Sequence, residues 1–165
     1  PIERYQLPGY ETDGLTDLLL DYLNRQQTDS PFFAVLSVQP PHSPYVAPPE
    51  FRDRHDPDKI QLRPNVPSVD RIQEKARQDL AGYYAMIENL DWNIGRLNEC
   101  LQNQPGFENT LQVYFSDHGD FMGEHRMQCK GGVFYDCLTR VPLIVSWPGQ
   151  VVSGKVDESM VNLIA

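Results

Sequence analysis

Three short apolar runs constrain this chain more than any other feature: Phe32 to Val38 (FFAVLSV), Thr110 to Ser116 (TLQVYFS) and Val141 to Trp147 (VPLIVSW). Each has the length of a strand. The first is continuous rather than alternating, the pattern of a strand covered on both faces, and it points to a parallel sheet. Ahead of it, Thr12 to Gln27 sets Leu15, Leu18, Leu19, Tyr22 and Leu23 at helical spacing. Asp13 and Asp17 lie near that helix start, where the dipole favours negative charge. Between the first two strands, Val69 to Gln102 carries a longer stripe, including Leu80, Tyr83, Ile87, Leu90, Ile94, Leu97 and Leu101. Gln104-Pro-Gly should stop it. Strand, helix and strand in succession predict an α/β sheet with helical crossovers.

Two segments interrupt this alternation. From Gln39 to Ser68 the chain is dense in proline, which removes backbone donors and biases the preceding residues away from helix. A structureless stretch of that length is uncommon in a compact domain unless it builds a site. The other is Asp117 to Arg140, rich in Gly, His, Asp and Lys, which follows the carboxyl end of a strand, where open α/β sheets place ligands.

Charge narrows the partners. With 14 Lys plus Arg against 23 Asp plus Glu, the formal net charge is -9, which would repel a phosphate backbone and excludes nucleic acid as the expected ligand. No apolar run approaches the roughly 20 residues of a membrane span, and Pro1 to Pro8 lacks a basic-then-apolar signal layout. Cys100, Cys129 and Cys137 fix neither a disulfide framework nor a zinc site, and the compartment stays open.

The candidates for chemistry lie in the two irregular segments. Asp117 and His118, in Ser116-Asp117-His118-Gly119-Asp120, offer a carboxylate and an imidazole that could hold a divalent cation, although two ligands do not complete a site. Read alone, the segment is equally a plain turn capped by Asp117. His42, pinned among prolines in Pro40-Pro41-His42-Ser43-Pro44-Tyr45, can donate to an anionic oxygen or protonate a leaving group. Alone, it is a surface histidine on a rigid loop. Lys130, before Gly131 and Gly132, is an anion contact or a solvated lysine. His125 shares a loop with Asp117 and is a candidate substrate contact, whereas His55 is not. Tyr83, Tyr84 and Trp92 on the long helix suit packing better than a ligand platform.

Taken together and in order, FFAVLSVQPPHSPY, YYAMIENLDWNIGRL and VYFSDHGDFMGEHRMQCKGGVFYDCLTRVPLIVSWPG resemble the sulfatase family, most strongly from Phe32 to Gly149. The segment Asp56 to Pro67 is similar to bacterial sulfatases acting on carbohydrate sulfates. The resemblance implies a partial alkaline-phosphatase-like α/β fold, with a mostly parallel sheet and flanking helices, over a single catalytic domain at 1–165 truncated at both ends. It implies hydrolysis of a sulfated small molecule or carbohydrate around Ca²⁺ or Mg²⁺. Asp117 and His118 match one pair of metal ligands, Lys130 the lysine on the sulfate group, and His42 the histidine on the sulfate or leaving-group oxygen. Arg140 matches a structural arginine.

One departure carries as much weight as the match. The family's nucleophile is a formylglycine made from Cys or Ser in a Cys/Ser-x-Pro-x-Arg segment, and none of the three cysteines here has proline two positions on. The nucleophile and the other metal aspartates are thus expected upstream of Pro1, and the isolated chain is expected to be inactive. Missing strands would leave a sheet edge and apolar surface that invite self-association. The competing readings are a phosphonate or phosphate ester hydrolase on the same fold, and a non-catalytic binding or assembly module.

Overall fold

The computed structural model describes residues 7–26 and 30–162. Expectations for the two chain ends fall partly on 1–6 and 163–165, outside the described residues. The order is α1 (Glu11–Arg25), α2 (Pro49–Arg52), α3 (Asp70–Gln102), β1 (Gln112–Phe115), β2 (Phe121–Met122), β3 (Gln128–Cys129), α4 (Asp136–Thr139) and β4 (Leu143–Ser146). Single 3-10 turns lie at 57–59, 107–109 and 124–126. None of the helices is long and apolar enough to cross a membrane, among the described residues.

α3 is the platform, and α1 and α2 both pack on it. Its buried face differs from the expected stripe of large apolar residues. The buried positions are Ala76, Ala81, Gly82, Ala85, Met86, Asn89, Leu90 and Asn93, while Tyr84 and Ile87 are exposed. Close approach explains the change. A Cβ on Gly82 would stand 2.2 Å from the carbonyl oxygen of Tyr45, so only glycine lets the proline-rich loop lie directly on the helix. Beside it, Ala47 and Phe51 close a small core with Ala85 and Met86.

The α1–α3 seam is polar. Asp13 Oδ1 accepts from Asn89 Nδ2 at 2.8 Å and from Asn93 Nδ2 at 2.7 Å, and Arg96 reaches Asp17. Buried amides are stable there because each donor meets a charged acceptor.

Two expectations for the strands are corrected. Residues 31–39 run without a ladder, and Phe33 is 89% exposed, because among the described residues no strand edge lies alongside to pair with them. The α/β class holds, but both ladders are antiparallel: β1 on β4, with Gln112 opposite Ser146 and Phe115 opposite Leu143, and β2 on β3. The segment between β1 and β4 holds a hairpin and a one-turn helix, neither of which is the helical crossover that parallel pairing needs.

Candidate functional site

Directly after β1 the chain makes a turn whose backbone is fixed from several sides. Ser116 Oγ donates to the His118 carbonyl at 2.9 Å, and His118 N donates to Asp117 Oδ1 at 3.0 Å. Gly119 N donates to the Leu138 carbonyl at 2.8 Å. A Cβ on Gly119 would lie 1.9 Å from the Cys137 carbonyl oxygen, so glycine is what allows the turn to seat against α4.

This wiring sets the chemistry of His118. Its Nδ1 lies 2.8 Å from the Gly119 carbonyl oxygen, which can only accept, so Nδ1 carries the proton and Nε2 presents a lone pair. Nε2 stands 3.7 Å from Asp117 Oδ2, on a side chain that is 85% exposed. One nitrogen and one oxygen donor are thereby offered side by side. A backbone carbonyl fixing the far ring nitrogen is the arrangement that orients metal-ligating imidazoles. The donor set fits a divalent cation, and it is a pair only: among the described residues no group of three or more His, Cys, Asp or Glu side chains could hold a metal.

His42 is prepared in a similar way. Its Nδ1 donates to the Ser43 carbonyl at 2.7 Å and its Nε2 is left for another partner. The Pro40-Pro41 and Ser43-Pro44 bonds flanking it are cis. Three residues on, Tyr45 joins this loop to the other one, its hydroxyl donating to Asp120 Oδ2 at 2.9 Å. Burial, then the bond to Asp120, push the Tyr45 hydroxyl well above the ordinary tyrosine range, so it stays a donor at physiological pH.

Lys130 directly follows the β2–β3 hairpin. Phe121 pairs with Cys129, whose φ of 59° ends the ladder just before Lys130. Asp120 Oδ1 is buried without a hydrogen-bond partner among the described residues. The loops carrying His42 and the Asp117–His118 pair therefore meet at the Tyr45–Asp120 bond.

His125 is placed differently. It sits at the tip of that hairpin, its N donating to the Asn65 carbonyl at 3.0 Å, its Nε2 lying 3.2 Å from Asn65 Nδ2, and its ring 4.7 Å from that of Tyr135. Next to it the buried Glu124 accepts from Met122 N at 2.6 Å and pairs with Arg63 at 3.3 Å. His55 is engaged by Glu88 at 2.9 Å, away from this cluster. On α3, Tyr83 packs edge-on against Tyr45, and Trp92 packs against Phe51 and Arg96.

Tyr45, Asp120 and Glu124 are what sequence reasoning missed. Tyr45 and Asp120 stand inside the two quoted motifs, but nothing local signals a bond between residues 75 apart.

Comparison with known proteins decides the family. The sulfatase family model matches residues 1–164. The chain belongs to the sulfatase family. It is 36% identical to an ulvan-active sulfatase of Formosa agariphila over 131 residues, 78% of this chain and 25% of that protein. Among solved structures, the yidJ sulfatase-family protein of Bacteroides fragilis superposes with a TM-score of 0.81 at 31% identity, covering 89% of this chain and 33% of that one. The phosphonate monoester hydrolase of Agrobacterium radiobacter gives 0.72 at 27% identity, covering 87% and 35%. The fold is thus alkaline-phosphatase-like, and the sulfatase chain described here spans a quarter to about a third of these relatives.

Proposed function

We propose that this chain supplies one half of a site that hydrolyses sulfate esters, on a sulfated small molecule or carbohydrate. The observation that carries the reading is the wired turn at Ser116 to Gly119, which holds His118 Nε2 and Asp117 Oδ2 3.7 Å apart, with no other partner for either among the described residues. In this reading Asp117 and His118 hold a Ca²⁺ or Mg²⁺ ion together with ligands from elsewhere in the protein. When bound, such an ion supplies Lewis-acid neutralisation of charge on the ester oxygens. Lys130, on the segment that follows β3, places a fixed positive charge on the sulfate group. His42, with Nδ1 donating to Ser43, gives a proton or hydrogen bond from Nε2 to the leaving oxygen in its doubly protonated form. His125 contacts the substrate beyond the ester.

The nucleophile is not among these residues, since no Cys/Ser-x-Pro-x-Arg segment occurs in the sequence. A formylglycine from the remainder of the protein completes the reaction, and the isolated chain turns over nothing. A phosphonate or phosphate monoester is the second substrate class, favoured by the structural likeness to the Agrobacterium enzyme.

The test is turnover of an aryl sulfate and an aryl phosphonate by the intact protein. Lys130→Ala should lower turnover of the true substrate class about 10²- to 10³-fold, the cost of losing one charge-stabilising group. An Asp117→Ala protein as active as the parent would sink the reading, as would turnover by the isolated chain. An intact protein inert on both esters would return the non-catalytic module.

A further inference from the structure

An open groove of about 510 Å³ runs between residues 58–68 and the first turns of α3. Leu62 and Val66 are among its apolar walls, and Lys59, Arg63 and Arg77 line it with Asp58 as the counter-charge. Three cations in one groove stand out on a chain whose formal charge is -9. Their existing partners do not exhaust them. Lys59 is 83% exposed and, among the described residues, pairs only with Asp56, at 3.1 Å. Arg77 is fixed by the Ile60 carbonyl, and Arg63 by Glu124 at 3.3 Å. A guanidinium has five N–H donors, so each arginine keeps others for a ligand.

The groove also adjoins the site. Arg63 pairs with the residue next to His125, and Asn65, two positions on, accepts from His125 N. A rigid ion pair and a backbone bond thus connect the groove wall to the proposed substrate contact.

We propose that this groove is a subsite for a second anionic group, a sulfate or carboxylate, on a saccharide whose scissile sulfate ester lies at the Asp117–His118 pair. The assignment rests on the hydrolytic reading above for its substrate, but the groove can be tested without turnover. Arginine forks match the oxygens of sulfate and carboxylate bidentately, and apolar walls suit the C–H faces of a sugar ring. A substrate with one sulfate and no other charge would leave the groove without work. A polyanionic saccharide would use it at every encounter, with affinity falling as salt rises.

The experiment is fluorescence anisotropy of labelled dextran sulfate with the intact protein, beside uncharged dextran and poly-glutamate. Lys59→Gln removes an exposed charge, and Arg63→Lys keeps a cation beside Glu124 while losing the fork, so neither threatens folding. The pair of substitutions should weaken dextran sulfate binding about 10-fold, the loss of one to two charge-assisted hydrogen bonds. Binding within twofold of the parent protein would overturn the groove, and poly-glutamate bound as tightly would overturn the saccharide. Groove-dependent binding by an intact protein that hydrolyses no sulfate ester would support the subsite and sink the hydrolytic reading alone. Hydrolysis with groove-independent binding would do the reverse.

Discussion

The helical and the strand halves of this chain invert the usual rule of burial. Around α3 most buried positions other than Met86 and Leu90 are small or polar, with Asn89 and Asn93 fully covered and paired to Asp13, while the β1–β4 ribbon leaves Phe115 and Ile144 more than half exposed. Exposed singly, such residues are ordinary; here Phe115 and Val113 share one face of the ribbon with Leu143 and Val145, and Ile144 lies on the other beside Tyr114, so both faces want cover. The helical half closes a polar seam and a small core of its own, whereas the strand half leaves both faces of its ribbon open. The site straddles the two, with His42 on the loop seated on α3 and Asp117 at the end of β1.

If that contrast is right, the largest effects come from the helical side. Gly82→Ala puts a methyl carbon 2.2 Å from the Tyr45 carbonyl, and the backbone must move. Thermal unfolding of the intact protein should show a loss of about 3 kcal/mol or more. A melting temperature equal to the parent's would mean that the loop does not sit on α3. Asp13→Ala should cost about 2 to 3 kcal/mol by stranding the buried amides of Asn89 and Asn93, and denaturant titration measures it.

Tyr45→Phe probes the bridge between the loops and should cost about 1 to 2 kcal/mol near neutral pH, because Asp120 loses the donor to its Oδ2. Its pH dependence has a definite sign. The folded pKa of Tyr45 is raised above the ordinary 10.0, so its contribution is intact below about pH 10 and is lost as pH rises toward the folded value. Stability of the parent should therefore fall in alkali more steeply than that of Tyr45→Phe. Parallel curves would remove the bridge.

The smallest effect belongs to the strand side. Ile144→Thr should shift the stability of the isolated chain by less than about 0.5 kcal/mol, since the side chain is exposed. Sedimentation should nonetheless show weaker self-association, and the same substitution in the intact protein should cost about 1 to 3 kcal/mol if the ribbon is covered there. Equal small costs in both would erase the contrast between the halves.

The proposed site is legible in the sequence where its chemistry is local. Asp117, His118, Lys130 and His42 could be named because a strand end, a glycine turn or a proline cluster marks each of them in the sequence. Asp120, Tyr45 and Glu124 could not, since a carboxylate gains meaning only from what it faces. The strands show the same limit. Apolar runs told that 112–115 and 143–146 are strands, yet side-chain pattern carries no direction of pairing, and the antiparallel ladder contradicts the expected parallel one.

By itself, then, the sequence determined the family, the extent of α1 and α3, the positions of β1 and β4 and the residue types of the proposed site, because these follow from periodicity, turn chemistry and motifs within a few residues. Tertiary structure decided which face of α3 is buried, which nitrogen of His118 is free, and that the His42 and Asp117 loops meet through Tyr45 and Asp120. Those depend on contacts between residues far apart in the chain, where only the approach of backbone to backbone fixes which side chain fits.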